Sequence, residues 1–515
     1  MADTSYTTAS VIHWGGTAGG AMQEALNTKR IIENIFGILS PDVSRFEEAV
    51  LEDSTEDPMY RSPAERATLF SSALTCRAFR EPALNRLWKT MDSPLPFASL
   101  LFSSSSDSNF DFVTSSPLPM AIRKNLNRIK TFIYNVPEEK FIQHIDVFLA
   151  ITALQPVLLP NLRTLIIPNF QRCLSVSTFH FSLISPSIST IDIGGIESEE
   201  GYMLFMSALC YRAQDSMKEI YCRSDNLPNA ALSLPRLQSL HLQKLSPTID
   251  LLIGHLATLS NLRRIDLTLA PFKLDTKASA INFAHLEDVR LSGMLQDIAQ
   301  FLNKCQTPRL QSLALYVQPV SQGPRRSYVG DMLTVMAVIS RHTKWRQTLT
   351  TLRITPVICS DYAQFFRSLS DYPLATLYLD SHISLPQSIR LSLADIAKHL
   401  PNIRILYLPP YRPGDEPTIS QLSELARLRP KLRELGTSLR LKSSGSSEIP
   451  RMQHNLERLH VYHSSVTDNW DIPDQLDSLF PYLGRIETSP DNDFARHWKQ
   501  IEALLKLCQR ARRRL

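Results

Sequence analysis

The chain has 515 residues, of which 73 are leucine and only 16 glycine, with a formal charge of +5 at pH 7. Leucine at about 14 % and glycine at about 3 % disfavour glycine-loop cofactor folds and low-complexity linkers, and favour a small apolar unit buried many times over. With 43 % hydrophobic and 20 % charged residues the composition is globular, and so slight a charge excess argues against nucleic acid as the main partner.

Residues 1–22 are polar and read as a disordered N-terminus. The run Gly15-Gly16-Thr17-Ala18-Gly19-Gly20 is followed by no Lys-Ser/Thr and preceded by no strand, so it is not a phosphate loop. The segment has neither a basic n-region with an apolar h-region nor transit-type arginines. The longest uncharged run, Cys173 to Ile191, contains Pro186 and many Ser and Thr, which excludes a membrane span there. A soluble protein of the cytoplasm and/or nucleus is expected. The cysteines at 76, 173, 210, 222, 305, 359 and 508 form no CxxC pair, so they read as reduced buried thiols.

A short helix is predicted over 26–40, where Ile31, Ile32, Ile35, Phe36 and Leu39 share one face. An acidic insertion follows at 42–65. Residues 64–91 then read as two helices, the first carrying Ala67, Phe70, Ala73 and Leu74, the second opened by Pro82 and carrying Leu84, Leu87 and Trp88. Residues 96–125, with the serine-rich run 103–108, form a linker.

From about residue 126 to 490 one phrase recurs: apolar, two variable, apolar, one variable, apolar. Leu162-Arg-Thr-Leu165-Ile-Ile167 and Leu237-Gln-Ser-Leu240-His-Leu242 are clear copies. The central positions are Phe132, Leu165, Ile191, Ile220, Leu240, Ile265, Val289, Leu313, Leu352, Leu377, Leu406, Leu435, Leu459 and Ile486. From 165 onward they are 20–29 residues apart except for one step of 39, the period of leucine-rich repeats. Alternation puts the central residue and the one two later on one face of a short strand, and the residue three earlier enters the core from the turn before it. No unit can close its own core, so neighbours stack. Helices are predicted ahead of Leu406 (392–400) and Leu435 (422–428). The Asn or Cys usual three positions after the strand is replaced by Phe170, Leu245, Ala270, Met294 and His382, which points to an irregular array. The long step holds 319–346, read as a loop insertion, and 442–451 reads as a second polar loop. Residues 491–515 form a C-terminal helix with a basic end.

The expected fold is therefore α/β, an irregular leucine-rich-repeat solenoid with parallel strands on its concave face. Residues beside the core leucines point to that face: His241, Arg264, Asp266, Asp288, Arg290, Tyr316, Arg353, Tyr378, Asp380, Tyr407, Arg458, His460 and Tyr462. Tyr and Arg are over-represented at binding hot spots, so these residues, apart from Arg264 and Asp288, are the candidate target-binding site. No GxSxG, HExxH, Walker loop or paired-carboxylate motif is present. No catalytic, cofactor or metal site is expected.

The front end, Ile31 to Leu39 followed by Ala73-Leu74-Thr75-Cys76-Arg77-Ala78-Phe79-Arg80-Glu81-Pro82-Ala83-Leu84-Asn85-Arg86-Leu87-Trp88, resembles an F-box. It looks like that of fungal F-box and leucine-rich-repeat proteins, with Leu26-Asn27-Thr28-Lys29 where that family has Leu-Pro and an insertion between the helices. The resemblance implies an F-box-like domain at 23–95. It would bind a Skp-type adaptor, and through it a cullin, using Ile31, Ile32, Ile35, Phe36, Leu39, Leu74, Cys76, Arg77, Leu87 and Trp88. It further implies the substrate-recognition subunit of a Skp–cullin–F-box ubiquitin ligase that holds a protein target on the repeats. The alternative is a repeat scaffold outside any ligase, with the helices as an N-terminal cap. A third reading, nucleic-acid binding through Arg325, Arg326 and the C-terminal arginines, is the weakest.

Overall fold

The computed structural model describes Asn34, Phe36 and residues 63–93, 96, 120–134, 157–170, 177–194, 199–223, 227, 229–245, 249–269, 281–318, 331–356, 359, 361–380, 392–412, 414–441, 450–462, 465–466, 471–488 and 494–514. These fall into two compact units, Met1–Ser216 and Met217–Leu515. The glycine run at 15–20, nearly all of the acidic insertion, Arg325, Arg326, Cys173, Ala270, His382 and 442–449 lie outside the described residues.

The first unit opens with α1 (Pro63–Thr75) and α2 (Arg77–Lys89). They are separated at Cys76, whose extended backbone (φ −154°, ψ 162°) breaks the helix. Pro82 does not open the second helix as predicted. It lies inside α2, whose first turn is closed by Arg80 N donating to Cys76 O at 3.2 Å. Phe36, Leu69, Ala73 and Ala83 form a small buried core, covered by Ala78, Phe79, Leu84 and Leu87. Phe36 meets Phe79 edge-to-face at 5.7 Å.

Next come β1 (Thr90–Met91), α3 (Met120–Leu126), β2 (Thr131–Ile133), β3 (Thr164–Ile167), α4 (Ser177–Ser182), β4 (Thr190–Ile193) and α5 (Glu199–Arg212). β1 to β4 pair in parallel and in sequence order, with Met91, Phe132, Leu165 and Ile191 in one register line. β1 is an addition to the predicted elements: α2 runs straight into the first strand of the sheet. Phe170 stands where an asparagine ladder would be and is instead buried against His180, Tyr202 and Phe205 at centroid distances of 5.4–6.0 Å. Aromatic packing fills that turn.

The second unit contains β5 (Glu219–Cys222), β6 (Ser239–Leu245), α6 (Ile249–Leu256), β7 (Arg264–Leu269), β8 (Ile281–Asn282), β9 (Asp288–Gly293), α7 (Leu295–Lys304), β10 (Cys305–Gln306) and β11 (Ser312–Val317). Then follow α8 (Asp331–Arg341), α9 (Trp345–Thr348), β12 (Thr351–Thr355), α10 (Tyr362–Leu369), β13 (Thr376–Leu379), α11 (Leu393–His399), β14 (Ile405–Tyr407), α12 (Ile419–Leu428) and β15 (Glu434–Thr437). The unit ends with β16 (Arg440–Leu441), β17 (Arg458–Val461), β18 (Ser465–Val466), α13 (Asp471–Leu479), β19 (Arg485–Thr488) and α14 (Ala495–Arg514). β8 pairs with β10 and β16 with β18. All the other strands form one parallel sheet in the order β5-β6-β7-β9-β11-β12-β13-β14-β15-β17-β19. The predicted central residues from Ile220 to Ile486 stand opposite one another from strand to strand. This is an irregular leucine-rich-repeat architecture.

Each strand starts on a shared carbonyl. Gln238 O accepts from Arg263 N and Arg264 N, both at 2.9 Å, and Arg263 O then accepts from Glu287 N and Asp288 N at 2.8 and 3.0 Å. The same pair of bonds recurs on Glu287, Gln311, Thr350, Ala375, Arg404, Arg433 and Glu457. Just before it, Leu237, Leu262, Leu286, Leu310, Leu349, Leu374, Ile403, Leu432, Leu456 and Leu483 are all buried, as the repeat phrase requires. Two of the returning helices, α10 and α11, start on side-chain caps: Asp361 Oδ1 accepts from Gln364 N at 2.9 Å, and Ser392 Oγ from Asp395 N at 3.1 Å.

The long step is not a loop over its whole length. Residues 331–348 form α8 and α9, with Met332, Val335, Met336, Ile339 and Trp345 buried. Trp345 stacks on His342 at 4.0 Å and donates its Nε1 proton to Thr307 O (2.9 Å) and Oγ1 (3.0 Å). Trp345→Phe should lower stability by about 1–3 kcal/mol, because a buried carbonyl loses its donor. Urea denaturation checks this, and a loss below about 0.5 kcal/mol would contradict a structural role for these bonds.

Candidate functional site

In the second unit the residue just after each central leucine-type position points away from the core. Register lines these residues up across the sheet as Tyr221, His241, Asp266, Arg290, Ala314, Arg353, Tyr378, Tyr407, Gly436, His460 and Glu487. Most are half-buried, lying flat against one another on an open strand face. In the first unit the same row is Ile133, Ile166 and Asp192, and all three are buried.

The row has two chemistries. Toward its start it is ionic. His241 Nδ1 lies 2.9 Å from Asp266 Oδ2, and Asp288 receives Arg264 at 3.2 Å and Arg290 at 3.7 Å. Toward its end it is aromatic. Tyr378 and Tyr407 stack at 4.5 Å with 23° between their planes. His460 lies 6.0 Å from Tyr407 and 5.0 Å from Tyr462. Between the two regions the Arg353 guanidinium sits over Tyr316 (5.7 Å) and Tyr378 (5.6 Å). Each such cation–π contact stabilises by about 0.5–1 kcal/mol where water still reaches it.

Gly436 is what lets the aromatic region close. A Cβ there would lie 2.3 Å from Tyr407 Cδ1, so the ring packs directly on the glycine backbone. Strand-to-strand spacing of about 4.8 Å then suits ring stacking between neighbouring strands. Burial pushes the Tyr407 hydroxyl up to about 12, assisted by Tyr378, Glu434 and Glu487. Burial also raises Tyr316, against the opposing pull of Arg353, and raises Tyr462, where Asp380 adds to the effect. These hydroxyls stay protonated, neutral donors at physiological pH.

Every predicted target-binding residue is described and lies on or beside this face. Arg458 joins Glu434, and His460 Nδ1 is 3.4 Å from Glu487. Tyr221, Ala314, Gly436 and Glu487 belong to the same row and are absent from the predicted set, although the offset rule that finds Tyr378 also finds them.

The adaptor-side residues are placed less uniformly. Ile31, Ile32, Ile35 and Leu39 lie outside the described residues. Phe36 is 2 % exposed and belongs to the core of the small unit, not its surface. Leu87 and Trp88 are half-buried. Leu74 is 72 % exposed, Phe70 one turn earlier 54 %, and Cys76 and Arg77 are also exposed. Cys76 is thus not the buried thiol expected. Cys210, Cys222, Cys305 and Cys359 are buried, and desolvation pushes the Cys210 thiol up to about 12. Among the described residues, no group of three or more His, Cys, Asp or Glu side chains could hold a metal ion. No described helix is long and apolar enough to cross a membrane. In the basic C-terminal helix, Arg512 is 2.8 Å from Asp477 Oδ1 and donates to Pro481 O at 2.8 Å, so it ties α14 to the last repeat.

Gly436→Ala should displace Tyr407 and cost about 1–3 kcal/mol, an overpacking effect. Adding Tyr407→Ala should recover most of it. A double-mutant cycle in urea reads the coupling, and additivity within about 0.3–0.5 kcal/mol would contradict the close packing of ring on glycine.

No family model matches the chain, and no curated protein matches it. Solved structures that align with it include an internalin from Listeria monocytogenes, at 17 % identity over 66 % of this chain and 83 % of that one, with a TM-score of 0.33. The structure of a TLR13–ssRNA13 complex aligns at 16 % identity over 72 % of this chain and 51 % of that one, TM-score 0.33. A Bacteroides fragilis protein aligns at 11 % identity over 71 % and 75 %, TM-score 0.28. The chain thus spans about half the length of the TLR13 chain it matches. The repeat assignment rests on the strand register and shared carbonyls of the chain itself.

Proposed function

We propose that this chain is a non-catalytic binding protein that receives a protein partner on the open strand face of its second unit. We further propose that it does so as the substrate-recognition subunit of a Skp–cullin–F-box ubiquitin ligase. The observation that carries the first part is the continuous row from Tyr221 to Glu487, with half-buried Tyr and Arg, types that dominate binding energies elsewhere. The second part rests on the F-box-like sequence at 26–91 and on Phe70 and Leu74, two large apolar side chains one helical turn apart and open to solvent. In that role the chain does no chemistry. It holds an adaptor on the helices and a target on the repeats, and so raises the target's local concentration near the ubiquitin-loaded enzyme.

One observation favours the second reading, a repeat scaffold with a helical cap. α2 leads directly into β1, which pairs with β2, and Glu81 on α2 receives Lys124 at 2.9 Å and Arg128 at 2.6 Å. The helices are therefore built into the first repeats, as a cap would be.

Co-purification of a Skp-type adaptor with the full chain separates the two. The ligase reading expects the adaptor to co-purify and Phe70→Ser with Leu74→Asp to abolish it. Both sites are exposed, so stability should change by no more than about 0.5 kcal/mol each. Absence of adaptor from the unaltered chain, or its retention by the double variant, rejects the ligase reading and leaves the scaffold.

A further inference from the structure

The charged side chains of the open face almost all have a partner within it. His241 pairs with Asp266, Arg264 and Arg290 with Asp288, Arg458 with Glu434, and His460 and Arg485 with Glu487. Arg353 is an exception. It makes no ion pair with any described residue, and its Nε is buried with no hydrogen-bond acceptor among them. Its guanidinium is held over two rings, Tyr316 and Tyr378, at the centre of the row. Asp380, whose charge acts on the same Tyr462 hydroxyl as that of Arg353, makes no ion pair with a described residue either.

This matters once the face is covered. In the free chain, water can solvate the half-buried guanidinium. A partner docking over Tyr316, Tyr378 and Tyr407 strips that water away. Leaving a cation desolvated and unpaired is expensive, so a partner that supplies no anion incurs a penalty a matched partner avoids. A planar guanidinium already held over aromatic rings has less rotamer freedom to lose, and with its Nε buried its Nη donors are the ones left for a carboxylate.

Charge balance narrows the choice of anion. Asp266 and Asp288 act on Tyr316 from one side of Arg353 and Asp380 acts on Tyr462 from the other. Asp266 and Asp288 already have partners, whereas Asp380 sets one unpaired negative charge near Arg353, so a single further carboxylate is accommodated and a dianion is repelled.

Resting on the open-face reading above, we propose that the partner is recognised through an Asp or Glu side chain that docks on Arg353 between Tyr316 and Tyr378. The specificity of the face is then for a segment carrying a single Asp or Glu with apolar or aromatic flanks that cover Tyr378 and Tyr407. Lysine-rich or uncharged segments are selected against at that position.

The test is selection of a phage-displayed random-peptide library on the full chain, keeping the peptides that no longer bind the Tyr407→Ala variant. The retained peptides should share an Asp or Glu at one position. Their affinity should fall about tenfold or more in Arg353→Gln, with the circular dichroism of the chain unchanged. Selection on Arg353→Glu should replace the shared acid by Lys or Arg. Retained peptides without a shared acid, or with one that Arg353→Gln and Arg353→Glu leave equally well bound, overturn the inference while keeping the open-face reading. A synthetic peptide that binds more tightly with phosphoserine in place of the acid also overturns it, by showing that a dianion is preferred. If no selected peptide depends on Tyr407, the open-face reading fails and this inference fails with it.

Discussion

The structure depends on one repeated arrangement at the start of each strand. A single backbone carbonyl, two residues before the central apolar position, accepts from two successive amides of the next repeat. It recurs from Lys218 to Glu457 in the second unit, and on Lys130 and Arg163 in the first. A carbonyl has two lone pairs, and both are used. The geometry leaves little freedom of register, since a slip of one residue would turn every leucine to solvent. The apolar residue just before it, Leu262 or Leu432 for example, is buried and prevents the turn from rotating away. The usual asparagine ladder is missing, and this carbonyl chain together with buried fillers such as Phe170 holds the turns instead.

Everything on the open face follows from that register. Because Leu352, Leu377, Leu406 and Leu435 stand opposite one another, the residues after them must also stand opposite one another. Tyr378 and Tyr407 then have little choice but to stack, and Gly436 admits the ring from the next strand. The same constraint places oppositely charged residues side by side in the first half of the row and leaves Arg353 between two rings. The face is therefore rigid before any partner arrives, which reduces the ordering cost of binding.

Much of this is legible in the sequence, because a repeat writes its core at a fixed offset. The central positions from Phe132 to Ile486 follow from the recurring phrase, and each stands on a parallel strand. The helices at 392–400 and 422–428 are visible from their apolar period. β1 is not, since Thr90-Met91 carries no repeat phrase and follows a helix without a turn signal. The helices within 331–348 are legible in principle: Met332, Val335, Met336 and Ile339 have helical spacing, but they sit inside a step too long for the repeat period, which resembles a loop insertion. Proline is most readily tolerated at a helix start, which points to Pro82 as the opening of α2, whereas the break lies at Cys76. The open-face row is only partly visible: Ala314 and Gly436 carry no hot-spot signature, and Tyr221 follows Ile220, a weaker copy of the repeat phrase. What no sequence pattern gives is the pairing across strands. That Arg264 on β7 finds Asp288 on β9 and Arg353 finds no acid among the described residues depends on neighbours brought together by repeats of unequal length.

At the centre stands one claim, that the second unit is held by strands in one continuous register, each started on a shared carbonyl. Amide hydrogen exchange resolved to short peptides tests it most directly. Strong protection is expected in short segments that contain Ile265, Val289, Leu313, Leu352, Leu377, Leu406, Leu435 and Leu459, including the two amides that precede each of them. Between these segments, protection should track the returning helices. Rapid exchange at the strand-entry amides of several adjacent repeats, such as Arg263, Glu287 and Gln311, would contradict it, whatever the helices do.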